Sequence, residues 1–116
     1  MYKIPDNFDF CVIQGKTINQ IAFGSNVVVF YFDGGYIQSS GSFEYTYLGK
    51  TFEHTEIYPL SNDLGLLILL DKEITDVSYV VDDFILTFSN GHKLVLKGID
   101  QYESYSICIG GRTVTI

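Results

Sequence analysis

The residues with the clearest capacity for chemistry are Glu53-His54-Thr55-Glu56, which set an imidazole between two carboxylates. A nearby carboxylate would raise the pKa of His54, and such a pair can move protons near neutral pH. A hydrolase built on Glu53, His54 and Glu56 would require the three side chains to converge on a cleft. No serine accompanies them in a Gly-x-Ser-x-Gly elbow. A solvated loop cluster is therefore the favoured interpretation, and the sequence does not predict an enzyme.

The cysteines and histidines do not have the spacing of a metal site. His54 and His92 are far apart, as are Cys11 and Cys108, whereas structural zinc ligands come in closely spaced pairs. The glycine pairs join candidate strands and do not open helices, which argues against a phosphate cradle. No metal or other cofactor is expected. Both cysteines lie in apolar alternating segments typical of buried free thiols, and a bond between them requires neighbouring terminal strands.

The chain is acidic, with seven Lys and Arg against fourteen Asp and Glu and a formal net charge of −7. Nucleic acids and anionic membrane surfaces attract basic proteins, so neither is an expected partner. A basic protein is the partner that this charge suits best, because opposite charge accelerates association. Acidity that serves only solubility is the simpler alternative.

Carboxylates cluster before and within the turn at Asp82-Asp83, since Asp71, Glu73 and Asp76 lie just upstream. Asp is common in tight turns, which is the structural interpretation. With tyrosines nearby, the same residues would form an acidic and aromatic surface, a combination that suits a specific protein contact. The predicted partner-binding residues, chosen for charge, aromatic character and expected exposure, are Glu53, Glu56, Tyr58, Asp82, Asp83 and Tyr102.

The sequence contains an internal repeat. When the chain is shifted against itself by 56 positions, apolar residues and a glycine coincide without a gap. The matched pairs are Ile18 and Ile74, Ile21 and Val77, Phe23 and Tyr79, Val28 and Phe84, Phe30 and Leu86, Phe32 and Phe88, and Gly35 and Gly91. Residues 15–48 and 71–98 are therefore predicted to be two related β-hairpin units within one domain of residues 1–116.

Since the matched positions are almost all apolar or glycine, the repeat is interpreted as scaffold, and function is expected where the copies differ. Those places are residues 49–59, the Asp82-Asp83 turn and the C-terminal strands, which have no counterpart in the first copy. Residues 49–59 are interpreted as an irregular linker that separates the copies.

The turn at Ser89-Asn90-Gly91 sets the register of the second hairpin. A two-residue loop there would place lysines on the apolar face, whereas a three-residue loop with a left-handed Gly91 keeps that face apolar. The three-residue loop is therefore predicted, with three pairs: Phe88 with His92, Leu86 with Leu94, and Phe84 with Leu96. The corresponding turn at Asp33-Gly34-Gly35 is compatible with more than one register.

Alternation of apolar and polar residues predicts about eight to ten short strands. Residues 8–13 read as a first strand ending at Gly15, and residues 102–116 as a final pair of strands. Ser61-Asn62-Asp63 before the apolar residues 64–70 favours a short helix near 62–70, with a buried strand as the alternative. The predicted class is mainly β, with duplicated hairpins forming a bent antiparallel sheet or a partly closed barrel or sandwich.

The first ten residues, MYKIPDNFDF, lack a charged segment followed by an apolar run, so no secretory signal is expected. The longest apolar run, residues 64–70, is far shorter than the roughly 20 residues that cross a bilayer. A cytoplasmic location is predicted.

Two segments carry a family resemblance: residues 84–96 (FILTFSNGHKLVL) and residues 102–107 (YESYSI). A strand ending in Phe, a Ser/Asn-Gly turn, an alternating return and a Tyr-Glu-Ser-aromatic motif resemble a family of small bacterial β proteins. Its assigned members are immunity proteins of polymorphic toxin systems, including contact-dependent growth inhibition. The resemblance extends to the first hairpin and the Leu-rich segment, and Tyr105 stands where the family leads us to expect Trp.

The resemblance implies a cytoplasmic inhibitor that binds one cognate toxin, with an RNase as a candidate, and covers its active site. It carries no residue-level binding site. Independently of the resemblance, the acidic charge suits this role because an RNA-cleaving groove is electropositive. The alternative function is a small-ligand binding or sequestering β-barrel whose tyrosines and phenylalanines line a pocket.

Overall fold

Ten short β-strands account for most of the chain that the computed structural model describes, namely residues 10–24, 27–40, 43–47, 49–54, 66–80, 82–98 and 105–115. In chain order they are β1 Ile18–Phe23, β2 Val28–Phe32, β3 Gly35–Ser39, β4 Phe43–Tyr47, β5 Lys50–His54, β6 Ile74–Val80, β7 Asp83–Phe88, β8 Lys93–Leu96, β9 Tyr105–Ile109 and β10 Arg112–Thr115. The prediction of a mainly β chain is confirmed.

The strands form two antiparallel sheets of five strands each. Sheet 1 has the order β1-β2-β3-β9-β10, and sheet 2 has the order β5-β4-β8-β7-β6. Neither sheet closes on itself, so each ends in two edge strands. Of the architectures that the alternation allowed, the sandwich is therefore the one that fits, with one buried cluster drawing side chains from both sheets.

The repeat is visible residue by residue in the strand pairing. In the first copy Ile18 pairs with Phe32, and in the second Ile74 pairs with Phe88. The following pairs keep the same offset, and each copy has a register shift at the same place, directly after Ile18 and after Ile74. The internal duplication of the hairpins is thus confirmed.

The second hairpin has the predicted three-residue turn. Leu86 pairs with Leu94, the Phe88 N–H donates to the His92 carbonyl at 2.9 Å, and Gly91 has a φ of 82°. A left-handed φ is accessible to glycine at little cost, which is why the turn fits here.

The first hairpin has a shorter turn than the second. Phe32 pairs directly with Gly35, so only Asp33 and Gly34 lie in the loop, and Gly34 has a φ of 94°. The sequence was compatible with more than one register at this turn. In the structure its loop has two residues, one fewer than the loop of the second hairpin.

The two copies exchange hairpins. The β4–β5 hairpin follows the first copy in sequence but pairs with β8 in sheet 2, and the β9–β10 hairpin follows the second copy but pairs with β3 in sheet 1. Both hairpins turn at left-handed glycines, Gly49 and Gly111, each followed by a basic residue and a threonine. The C-terminal strands therefore do have a counterpart in the first copy, and their interpretation as unrepeated is wrong.

Two further sequence interpretations need correction. Residues 10–13 form one turn of 3-10 helix rather than a strand, because the chain turns at the left-handed Gly15 so that Ile13 is buried and Val12 is exposed. Lys50–His54 is an edge strand rather than irregular linker, while residues 55–59 lie outside the described residues. Residues 66–69 form a second turn of 3-10 helix, and residues 62–65 lie outside the described part of the chain.

The core lies between the two sheets and consists mainly of the inward-facing side chains, which come from every second residue of the strands. Strand alternation places every second residue inward. From sheet 1 these are Ile18, Val28, Phe30, Phe32, Ile37, Tyr105, Ile107 and Val114, and from sheet 2 they are Phe43, Tyr45, Ile74, Phe84, Leu86, Phe88, Leu94 and Leu96. Ile13, Leu66 and Leu69 join them from the two 3-10 turns. Cys108 is a free, half-buried thiol.

The close approach of β3 to β9 predicts a strong effect at Gly35. A Cβ at this position would collide with the backbone carbonyl oxygen of Cys108, which cannot move without breaking the sheet. We expect Gly35→Ala to lower the free energy of unfolding by roughly 3 kcal/mol or more, measured by urea denaturation. Gly49→Ala is the matched control: it meets nothing within 4 Å but has a φ of 77°, and should cost only about 1 kcal/mol. Equal losses would contradict this account.

Candidate functional site

Only part of the predicted partner-binding set falls within the described residues. Glu53 is exposed on the edge strand β5, whereas Glu56, Tyr58 and Tyr102 lie outside the described residues. Asp82 and Asp83 are half-buried at the end of the β6–β7 hairpin. The structure therefore does not bring the six residues together as one described surface.

The Asp83 carboxylate has a structural task. Its Oδ1 accepts the backbone N–H of Gly98 at 3.3 Å, and its Oδ2 accepts Lys97 Nζ at 3.4 Å. Lys97 also forms an ion pair with Glu44 at 2.6 Å, and this hydrogen bond is the main reason that the pKa of Lys97 is raised. Asp83 thus holds the end of β8 against the start of β7, which makes it a poor candidate for a partner contact.

Asp82 contributes through its backbone. Its carbonyl oxygen accepts the hydroxyl of Tyr105 at 2.7 Å, and the Tyr105 ring lies beside Phe84 with centroids 6.1 Å apart. Burial raises the pKa of Tyr105, and the nearby charges of Asp83 and Asp82 raise it further. Tyr105 belongs to sheet 1 and the other residues to the hairpin of sheet 2, so this side chain ties the two layers together.

The Glu53-His54 part of the chemistry-bearing segment lies on β5. Glu53 is directly opposite Glu44 of β4, an arrangement of like charges that is unfavourable without a cation nearby. Lys97, which pairs with Glu44, supplies that cation on one side. The convergence of Glu53, His54 and Glu56 on a cleft stays a prediction, since Glu56 lies outside the described residues.

The structure shows an exposed acidic strip whose carboxylates the sequence analysis named only as residues upstream of Asp82. We call it the acidic edge: Asp71, Glu73, Asp76, Tyr79 and Val80, at and before the edge strand β6 of sheet 2. All five residues are exposed, with Tyr79 at 44% and Val80 at 61%. Three carboxylates and two large apolar groups accessible along one strand are a suitable surface for a basic protein.

The acidic edge is absent from the first copy. Its five residues correspond in the repeat to Gly15, Thr17, Gln20, Phe23 and Gly24, none of which carries a charge. The fold therefore does not require the carboxylates, because the same strand forms without them. This comparison is the signal that could have located the acidic edge from sequence, since the repeat offset alone pairs the residues.

Backbone contacts hold the beginning of the acidic edge in place. Ile74 receives a hydrogen bond from Gly15 N–H at 2.8 Å and donates one to the Lys16 carbonyl at 2.7 Å. The side-chain amide of Gln14 donates to Asp76 Oδ1 and to the Thr75 carbonyl, both at 3.3 Å. Asp76 is thereby positioned by a neutral donor that leaves its negative charge uncompensated.

The described residues contain no group of three or more His, Cys, Asp or Glu side chains that could hold a metal ion. Within the same residues, no helix has the length and apolar character needed to cross a membrane. Among the described residues, the carboxylates of the acidic edge therefore do not assemble into a metal-binding group.

Comparison with known proteins gave no match to any protein-family model, curated protein or solved structure.

The Tyr105 hydrogen bond predicts a measurable loss on removal of one oxygen. Tyr105→Phe keeps the ring in the core but leaves the Asp82 carbonyl without its donor. We expect a loss of about 1–2 kcal/mol in the free energy of unfolding by urea denaturation. Tyr31→Phe, on the outer side of sheet 1, is the control and should change stability by less than about 0.5 kcal/mol. A Tyr105→Phe protein as stable as the wild type would show that this bond does not hold the sheets together.

The burial of His92 predicts that the free energy of unfolding depends on pH. Its side chain is buried, and burial followed by the positive charge of Lys72 lowers its pKa below 6.5. The folded state therefore favours the neutral imidazole, so the contribution is complete above about pH 6.5 and is lost as the pH falls toward the folded pKa. We expect the free energy of unfolding to fall between pH 7.5 and pH 5.5, and His92→Phe to reduce that fall. An unchanged slope in His92→Phe would contradict the assignment, and His54→Gln measures the contribution of the other histidine.

Proposed function

We propose that the protein is a binding protein of the immunity type, which neutralises a basic toxin domain by covering its active site and performs no catalysis itself. The observation that carries the proposal is the acidic edge, where exposed carboxylates accompany Tyr79 and Val80 in only one of the two copies of the repeat. A cytoplasmic toxin that cleaves RNA is the candidate target, because such an enzyme needs an electropositive groove.

The physical argument concerns charge placement. A net charge of −7 draws a basic protein toward the chain from a distance. Exposed carboxylates at Glu73 and Asp76 can then occupy positions that substrate phosphates would take, while the aromatic ring of Tyr79 supplies an apolar contact. Sheet 2, which is fixed by its core and by the Asp83–Lys97–Glu44 cluster, presents these groups on a rigid support.

The sequence resemblance to immunity proteins supports the same proposal through residues 84–96 and 102–107. Within that motif, Tyr105 is accounted for by its hydrogen bond between the sheets, which is a structural role. The resemblance therefore supports the proposal through residues of the scaffold, whereas the acidic edge is the feature that suggests a basic partner. Small-ligand binding stays an alternative prediction, but the strands form two open sheets and not the barrel that it assumed.

The direct experiment is co-expression with each candidate toxin domain encoded immediately upstream of the gene. We expect the wild-type protein to restore growth and to co-purify with the toxin domain. The double variant Glu73→Lys/Asp76→Lys should weaken binding by at least about tenfold, and should reduce the dependence of the affinity on salt, because two attractive charges become repulsive.

The repeat supplies the matched control. Asn19→Lys/Gln20→Lys places two new lysines at exposed residues of β1, where Gln20 is the repeat equivalent of Asp76, and it also makes the net charge less negative. We expect its affinity to stay within about twofold to threefold of wild type, since rim charges away from a contact have small effects. Absence of binding by the wild-type protein would refute the proposed function. Equal effects of both double variants would show that the acidic edge is not the surface that binds the toxin domain.

A further inference from the structure

The outer face of sheet 1 has no charged side chain at its ten paired outward positions. Across the five strands these positions form two rows, which strand pairing defines. One row is Ala22, Val29, Gln38, Ser106 and Thr115, and the other is Gln20, Tyr31, Tyr36, Cys108 and Thr113. We call these ten residues the uncharged face. This face of a chain of net charge −7 therefore presents no carboxylate at these ten positions.

The fold does not impose this neutrality, since the equivalent face of sheet 2 is charged. The ten corresponding positions there are Ser78, Ile85, Val95, Glu44 and Glu53 in one row, and Asp76, Thr87, Lys93, Thr46 and Thr51 in the other. Four of these ten are charged. The same positions of the same fold thus tolerate charge on one sheet and carry none on the other.

Tyrosines lie at the middle of the uncharged face. Tyr31 and Tyr36 are opposite each other on β2 and β3, with ring centroids 6.0 Å apart. Cys108, on the next strand, is opposite Tyr36, and all three are only half-buried. Tyrosine is enriched at the centres of protein contacts, so this pair is the part of the uncharged face best suited to one.

We infer that the uncharged face is the contact surface of a homodimer, in which two copies of the chain pack their first sheets against each other about a two-fold axis. Like charge opposes contact between two copies elsewhere, but this face brings no carboxylates together. A basic partner, by contrast, gains nothing from an uncharged surface. Two sheets can pack at a separation of about 10 Å with hydroxyl and amide groups pairing at the rim. The inference is independent of the proposed function.

The extent of the face sets the strength of association. Five strands about 4.8 Å apart and a few residues in depth give a footprint of about 400 Å² on each copy. This is below the roughly 800 Å² per partner of a standard stable interface. The dimer therefore belongs to the weak, transient class of interfaces and requires a high protein concentration.

Sedimentation equilibrium of the full chain over a wide concentration range tests the inference. We expect a reversible monomer–dimer equilibrium that strengthens as salt is raised, because salt screens the repulsion between two acidic chains. Tyr31→Lys should weaken dimerisation by at least tenfold. Its matched control is Thr87→Lys, at the equivalent position of sheet 2, which should dimerise at least as strongly as wild type.

The control separates local contact from overall charge. Both variants make the net charge less negative by one, so a mechanism that depended on net charge alone would favour association equally in the two. Both positions face outward, and circular dichroism with thermal unfolding verifies that each variant folds. A wild-type chain that is monomeric throughout the range, or two variants with equal dimerisation constants, would overturn the inference.

Discussion

The contact on which the structure depends is a short antiparallel pairing between the beginnings of the two copies, centred on the bridge between Thr17 and Glu73. Four backbone hydrogen bonds surround it, and they form two pairs that the repeat relates to each other. In the first pair the Gly15 N–H donates to Ile74 O, and the equivalent Asp71 N–H donates to Ile18 O. In the second pair the Ile74 N–H donates to Lys16 O, and the equivalent Ile18 N–H donates to Lys72 O. Because this pairing joins the edge strands β1 and β6, it fixes how the two sheets face each other. Gly15 and Asp71 both adopt the left-handed conformation it requires, and Asp71 is the only non-glycine residue of the described chain that does so.

The near-symmetry around this pairing makes the differences between the copies informative. Most equivalent core positions differ in size and shape, as with Val28 and Phe84, whereas several equivalent surface positions differ in charge. Sheet 2 carries the acidic edge and the Lys97 cluster, and sheet 1 carries the uncharged face. Duplication has thus provided two copies of one scaffold whose exposed faces have acquired different chemistry.

Much of the fold could be predicted from local pattern, and the reasons for the failures are physical. The alternation of Phe84, Leu86 and Phe88 against Leu94 and Leu96 determined the register of the second hairpin, because only one register buries all of them. The exchange of hairpins could not be predicted, since β4 and β9 alternate alike and either could complete either sheet. The C-terminal repeat was missed because it needs a larger offset than 56, caused by a longer turn at residues 89–91 and a longer connection before β9. The half-burial of Asp82 and Asp83 and the hydrogen bonds of the Asp83 carboxylate depend on contacts between distant strands, which composition does not encode.

The hairpin exchange also governs the order in which this chain can fold. One edge of β3 stays unpaired until β9 is available, and β4 pairs only with its hairpin partner β5 until β8 is available. During synthesis the first copy therefore emerges with an unpaired edge on β3 and with a hairpin whose own neighbour has not been made. Such long-range pairing slows folding and prolongs the exposure of apolar strands. The same exchange makes folding cooperative. Neither copy can complete its sheet alone, so the two sheets of the sandwich form together and unfold together.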